Sequence, residues 1–388
     1  MKNSKLLLPI IVISQFCCTS LWFAGNGIMP SLIKNFNLND SSLGHLTSAV
    51  QFGFITGTFI FALFTIADRF SPSKVFFISA ILGGTFNLMC ILDNQTLFSL
   101  LSLRFFTGFF LAGIYPVGMK IATDYYDKGL GKSLGYLVGA LVLGTALPHL
   151  LKDIFINTSW KHVLIATSLL SAFGGFLLLI FIKDGPFRTK SKGLNLSSCF
   201  KVFKNINFRK AAFGYFGHMW ELYAFWTFVP IALLIYQNLH VGVVLNIPLL
   251  SFIIIGSGTV SCILSGYIAE KLGIKKTAFI FLLLSCVCCL LSPLILYQSN
   301  ENIFIIFLIF WGMVVIADSP LFSTLVARNA PVNNKGTALT IVNCIGFSIT
   351  IISIQLLSKL QISSTSIFIF TILAIGPIFG LLALRRKT

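Results

Sequence analysis

Two carboxylates, an arginine and a histidine interrupt sequence that is otherwise apolar enough to cross a membrane. The stretch GYFGHMWELYAFW (214–226) lies in an apolar run from Ala211 to Tyr236 and carries His218 and Glu221 near its middle. An ionised side chain at the centre of a bilayer costs about 2.5–3.5 kcal/mol on an insertion scale, so residues of this kind mark function. Of the eleven acids in the chain, only Glu221 and Asp318 fall clearly within segments of spanning length. A carboxyl that is neutral while shut off from water and charged while open to it is what proton coupling requires. Glu221 is the first candidate for that role and Asp318 the second. In a helix His218, Glu221, Leu222 and Phe225 share one face, which places the histidine beside the acid.

Each of these residues also has a plainer reading. His218 could be a core histidine donating to a carbonyl, and Asp318 could cap a helix that restarts at Pro320, since Asp-Ser-Pro is a restart pattern. The two readings of Asp318 are compatible, because discontinuous helices build binding sites in transporters. Arg104 is the one basic residue well inside a span, about seven residues or roughly 10 Å from its start. It must therefore face the protein interior and meet an acid, a carbonyl or a substrate. Trp22, Asn26, Trp220, Trp226, Trp311 and Asn343 are candidates to line a solute cavity, although aromatics in spans more often pack or anchor. No Ser/His, Ser/Lys, paired-Asp or His-Glu-x-x-His arrangement is present at workable spacing, and no G-x-x-x-x-G-K-[ST] loop. An enzyme, a bound metal and a cofactor are not expected. The nine cysteines lack metal spacing and read as small buried hydrophobes.

The elements that must position these residues follow from composition. Of 388 residues, 56% are hydrophobic and 10% charged, with mean hydropathy +0.92, far from a soluble domain at about one-quarter charged. Apolar runs near the roughly 20 residues a bilayer needs number twelve: 6–29, 43–66, 75–92, 97–119, 133–151, 162–182, 211–236, 247–268, 278–297, 303–326, 336–358 and 366–384. An all-α polytopic membrane protein of twelve transmembrane helices is expected. The opening MKNSKLLLPIIVI has the shape of a signal peptide, but the apolar run continues past Trp22 without a cleavage site, so it reads as an uncleaved first helix. With the N-terminus placed inside, 23 Lys and Arg fall on the inner side and 4 on the outer. The net charge of +17 is thus a topology signal, and no nucleic-acid partner is implied. The basic stretch 183–210 divides the chain into six-helix bundles at 1–182 and 211–388, and FKVFKNINF within it could form an amphipathic helix on the inner face. The halves are related: FTIADRFSPSK (64–74) matches GYIAEKLGIKK (266–276) at an offset of 202, and the segments from Gly131 and Gly336 match at 205.

GYIAEKLGIKK also resembles the loop signature of the major facilitator superfamily: Gly, three residues, acid, base, any residue, Gly, any residue, two bases. The first copy departs from it, with Phe64 and Ser71 at the glycine positions. RFFTGFFLAG (104–113) is similar to the next family signature. The resemblance implies two pseudo-symmetric six-helix bundles, a gating role for Asp68, Arg69, Glu270 and Lys271, and proton transfer at Arg104. GHMWELYAFW and ADSPLFSTLVA look like a prokaryotic branch often labelled nitrate/nitrite-transporter-like, but the glycine-rich nitrate signature is absent, so that substrate is not carried over. The expectation is a monomeric secondary transporter in the cytoplasmic (inner) membrane of a bacterium, both termini cytoplasmic. Its partners would be the lipid bilayer, protons and a small-molecule substrate, taken up by proton-coupled symport through alternating access. An organic solute is expected, with an anion one option on the strength of Arg104, Lys120 and His149. Proton-driven efflux of a drug, metabolite or siderophore stays open as the alternative.

Overall fold

The computed structural model of the chain describes residues 4–126, 130–188, 201–331, 335–363 and 367–385, and every regular element among them is helical. The chain forms two compact units, Met1–Leu196 and Ser197–Thr388. In unit 1 the first span is built from α1 (Ser4–Thr19), α2 (Ala24–Gly27) and α3 (Met29–Phe36). It is followed by α4 (Ser42–Leu63), the single turn α5 (Ile66–Arg69), α6 (Pro72–Met89), α7 (Leu97–Leu111) continued by α8 (Tyr115–Tyr125), α9 (Leu130–Ile154) and α10 (Lys161–Phe181). In unit 2 come α11 (Ile206–Leu239), α12 (Ile247–Gly256) continued by α13 (Gly258–Leu272), and α14 (Ile274–Leu296). There follow α15 (Glu301–Ala317) continued by α16 (Ser319–Asn329), α17 (Lys335–Ser363), and a 3₁₀ segment Ile367–Ala374 leading into α18 (Ile375–Arg385).

Ten of these spans are long and apolar enough to cross a membrane. With the shorter first helix and α6 they make twelve, and the chain is a multi-pass membrane protein. Large apolar side chains stand outward on many of them, among them Phe98, Ile180 and Phe379, a pattern that water would oppose and lipid accepts. The basic segment differs from expectation. Residues 189–200, which include the start of FKVFKNINF, lie outside the described residues. Its remainder is a 3₁₀ turn at Lys201–Lys204 running straight into span seven. Asn205 ends that turn and starts the helix, its side-chain oxygen accepting from the amides of Asn207 and Phe208 at 2.9 and 3.2 Å.

The internal repeat reappears in side-chain packing, with a register of 204. A methyl added at Gly108 of α7 would stand 2.0 Å from the carbonyl of Val50 in α4; one added at Gly312 of α15 would stand 2.1 Å from that of Ile254 in α12. Gly53 and Gly57 of α4 press on the Phe105 and Phe109 carbonyls. Their counterparts are Ser257 and Ser261, whose hydroxyls donate to the carbonyls of Ile309 and Met313 at 3.2 and 2.5 Å. Glycine permits the close approach in one half; serine fills the same place with a hydrogen bond in the other. The helix breaks repeat too. Span four is interrupted at 112–114 and restarts with Pro116, span ten at Asp318 and restarts with Pro320. The loop that departs from the family signature solves its turn differently in each half. Gly273 has φ +85°, whereas Ser71 at the matching position has φ −58° and needs no glycine. The left-handed residue of that loop is Thr65, at φ +50°.

Candidate functional site

Span seven of unit 2 carries Glu221 and His218, and the break in span ten carries Asp318, into a packed interior where each is about 1% exposed. Glu221 receives three donors from two neighbouring helices. The Ser285 hydroxyl of α14 donates to Oε2 at 2.8 Å, and the Cys289 thiol one turn on donates to Oε1 at 3.3 Å. The Trp311 indole Nε1–H of α15 donates to Oε1 at 2.7 Å. The Trp311 ring packs against Phe225, centroids 4.6 Å apart. This explains the spacing on α11: Glu221 and Phe225 sit one turn apart and hold the two ends of the same indole. All three donors are neutral, so the cage serves a carboxylate by hydrogen bonding without a counter-charge.

His218, one turn before Glu221, turns to the break in span ten. Its Nδ1 stands 2.8 Å from Asp318 Oδ1. Asp318 joins α15 to α16 but makes no side-chain cap to the restarted helix, so the capping reading does not apply and the carboxyl is given to the histidine. His218 Nε2 has no hydrogen-bond partner among the described residues. The histidine therefore meets a carboxyl and not a carbonyl. The structure thus joins Glu221 to Trp311 and His218 to Asp318 around one stretch of α11.

The other aromatic candidates are placed differently. Trp220 donates its Nε1–H to the Ile372 carbonyl at 3.2 Å, and its Cβ stands 2.5 Å from where a methyl on Gly376 would be, so it packs span seven against span twelve. Trp226 is fully buried, its ring edge-on to Tyr223 at 5.3 Å. Asn343 is half-buried on α17. Ser285 and Cys289 were not among the expected site residues. For Cys289 the expectation of a bland buried hydrophobe is corrected, because its thiol touches the buried carboxyl. Both lie in an apolar helix where small polar residues ordinarily satisfy themselves on the preceding turn. The only signal was their four-residue spacing.

In unit 1 Arg104 is 3% exposed and held by three neutral acceptors. Its Nη2 donates to the carbonyls of Leu21 and Trp22 at 3.0 and 2.7 Å, and its Nη1 to Asn87 Oδ1 at 2.9 Å. Those carbonyls belong to the turn at 20–23 that separates α1 from α2. The guanidinium therefore supplies the donors that an uninterrupted helix would have supplied from its own backbone. Asn87 passes the chain on, donating to Thr167 and Ser168 of α10 at 3.1 and 3.0 Å. The break sets Trp22 against Phe54, centroids 4.8 Å apart, and Asn26 within 2.8 Å of the Thr47 hydroxyl, to which it donates.

At the loop end of unit 1 Asp68 pairs with Lys120 at 2.8 Å, while Arg69 is exposed. Lys120 also reaches Asp124 at 3.5 Å. The following segment straps over this pair. Arg188 donates to the carbonyls of Asp68 and Phe70 at 2.9 and 2.7 Å and to the Asp184 carboxylate at 2.5 Å; Ser71 donates to the other oxygen of Asp184 at 2.6 Å. The matching Glu270 and Lys271 of unit 2 are exposed at the end of α13. Lys120 and Arg104, two of the three cations on which an anion would have relied, are thus engaged within the protein.

Buried carboxyls, one on a continuous span and one at a helix break, inside two repeated six-span units define a class of membrane carrier, and comparison with known proteins agrees. The family model described as Major Facilitator Superfamily matches residues 11–354, and the chain belongs to that family. Among curated proteins it is 25% identical over 179 residues to the uncharacterized transporter YgaY of Escherichia coli strain K12, covering 44% of either chain. It is 25% identical over 172 residues to the 4-hydroxybenzoate transporter PcaK of Acinetobacter baylyi, covering 42% of this chain and 35% of that one. The match thus spans less than half the length of these relatives. Among solved structures, the proton:xylose symporter XylE bound to 6-bromo-6-deoxy-D-glucose superposes with a TM-score of 0.70 over 97% of this chain and 94% of that one, at 15% identity. That likeness is one of fold. The chain is a transporter, not an enzyme.

Proposed function

We propose that this transporter couples inward movement of a small organic solute to protons, with Glu221 as the proton-carrying group. The observation that carries the reading is the neutral cage of Ser285, Cys289 and Trp311 around a fully buried carboxyl. As a carboxylate Glu221 accepts from all three and ties α11 to α14 and α15. As an acid it carries its own O–H, and one of those donors must turn away or exchange roles. Protonation thereby changes the ties between three spans, which is how a proton can bias an access state. His218 and Asp318 form a second proton-accepting pair one turn along α11, at the joint of span ten, where a change of charge bears on a helix break.

Arg104 acts here as a positioning residue: its partners are backbone carbonyls and an amide, and it holds the break that presents Trp22 and Asn26. The Asp68–Lys120 pair and its strap, with Arg69, Glu270 and Lys271 at loop ends, act as gates that favour one access state. The relatives' names support transport of small organic molecules, and the proton:xylose symporter shows that this fold supports proton symport. A bacterial cytoplasmic membrane, inward-facing termini, alternating access and a monomer complete the reading, on the distribution of basic residues and the family's habit.

The test uses purified protein in proteoliposomes with a solute found by thermal-shift screening of a metabolite library. Glu221→Gln should abolish accumulation driven by a pH gradient while exchange of labelled for unlabelled solute continues. Intact gradient-driven accumulation in Glu221→Gln would remove the assignment.

A further inference from the structure

Two glutamines of unit 1 are stranded. Gln15 of α1 and Gln51 of α4 are fully buried, and neither the carboxamide nitrogen nor the oxygen of either has a hydrogen-bond partner among the described residues. Buried amides are ordinarily paired, and each carboxamide offers two N–H donors and an acceptor oxygen side by side. Both belong to the faces that meet at the first span. Gln15 lies on α1 seven residues before Trp22 and ahead of the turn at 20–23, its Oε1 close over Gly118 of α8, where an added methyl would approach it to 2.3 Å. Gln51 lies between Thr47 and Phe54 on one face of α4, the two residues that hold Asn26 and Trp22. On α9, which packs on the same span through Gly144 and Pro148, Thr145 Oγ1 and His149 Nε2 are likewise buried and without partner.

We infer that Gln15 and Gln51, with Thr145 and His149, recognise the transported solute, and that this solute is uncharged and carries adjacent donor and acceptor groups, a vicinal diol being the simplest. Carboxamides and hydroxyls match such groups one for one. The strong charges of unit 1 do not compete for a charged solute: Arg104 is held by two carbonyls and Asn87, and Lys120 by Asp68 and Asp124. The paired Trp22 and Phe54 rings add an apolar wall for the solute's carbon face. A solute that lacked the matching groups would leave the glutamines unpaired, so discrimination against it is steep. The inference rests on the transporter reading but is independent of proton coupling.

The test is thermal unfolding of the detergent-purified full chain with D-mannitol and D-ribose as uncharged diols, and 4-hydroxybenzoate and succinate as organic anions. A solute that binds the folded state raises the melting temperature by mass action. The expected result is stabilisation by a diol and none by the anions. Gln15→Met and Gln51→Met should each weaken diol binding at least about tenfold. Stabilisation by an anion with the diols silent, no stabilisation by a diol up to about 50 mM, or wild-type diol binding in both methionine variants would overturn the assignment. If the variants do not fold, the wild-type preference between the two probe classes decides it alone. Gradient-driven accumulation surviving in Glu221→Gln would remove proton coupling and leave this inference standing.

Discussion

Arg104 offers the sharpest separation between holding a structure and moving a proton. Replacing it with Met keeps most of its length and removes the fork that reaches Leu21 O, Trp22 O and Asn87 Oδ1 at 3.0, 2.7 and 2.9 Å. Trp22 O and Asn87 Oδ1 are then left open, at about 1–3 kcal/mol each, and Leu21 O keeps only the 3.5 Å bond from the Ala24 amide. Against this stands relief from burying a guanidinium, an effective penalty of several kcal/mol, and water or a shifted turn would recover part of the rest. The net expectation is a loss of about 2–4 kcal/mol, close to the usual result of breaking one side of a buried polar network. For a unit near two hundred residues this is a fall of about 5–15 °C in melting temperature. Arg104→Lys keeps the charge but not the planar fork, and one ammonium cannot serve carbonyls on one side and an amide on the other, so at least half of the loss should remain. Fluorescence-monitored thermal unfolding in detergent measures the loss, and the pH profile of solute uptake supplies the second readout. The profile should keep its shape in both variants while the amount of folded protein falls. A melting temperature unchanged in Arg104→Met, together with a lost pH dependence of uptake, would refute the positioning role and return Arg104 to proton transfer.

Trp311→Phe keeps the ring packed on Phe225 and deletes only the 2.7 Å bond to Glu221. One hydrogen bond to a charged group is worth about 1.5–3 kcal/mol, so gradient-driven uptake should fall about ten- to a hundredfold with exchange less affected, as measured in proteoliposomes. Thr65 is β-branched and holds φ +50°, a conformation costing about 1–2 kcal/mol. Thr65→Gly should therefore raise the melting temperature without changing uptake. The Lys120–Asp68 pair is about one-fifth exposed on each side. A double-mutant cycle with Lys120→Met and Asp68→Asn should give a coupling of about 0.5–1 kcal/mol that shrinks in high salt.

The spans were legible because hydropathy reads solvent, and lipid leaves a long unambiguous trace. Glu221 and Asp318 were legible because acids are so rare in such segments, and the restart at Pro320 because proline forces it. The break in span one was not. Ser20, Leu21, Trp22 and Phe23 contain no glycine or proline, and the turn exists because Arg104, more than eighty residues away in sequence, satisfies the carbonyls it frees. The cage around Glu221 was hidden for a similar reason. Ser285 and Cys289 look like any small residues of an apolar helix until the carboxyl arrives from another span. Among the tryptophans, one step of 100° sends Trp220 to the last helix while its neighbour Glu221 faces Trp311, and sequence alone does not orient a helix that is buried nearly all round. The repeat was visible at an offset of 202 in the loop after span two and of 205 at the starts of α9 and α17, yet the packed seam runs at 204, because the connections between helices tolerate insertions that shift the register and a packed seam does not.

The two seams of that repeat differ in mechanical character. Gly53 and Gly57 lie flush on carbonyls of α7, held by dispersion, which has no preferred direction along the helix. Ser261 is tied to α15 by a 2.5 Å hydrogen bond, and Ser257 shares its proton between Ile254 of its own span at 2.8 Å and Ile309 of α15 at 3.2 Å; such bonds are directional and lose their strength steeply when misaligned. A shearing force along the helix axes meets little resistance at the first seam until side chains collide, and an immediate restoring force at the second. Equal architecture thus yields unequal compliance: one half carries a sliding bearing where the other carries a fixed joint.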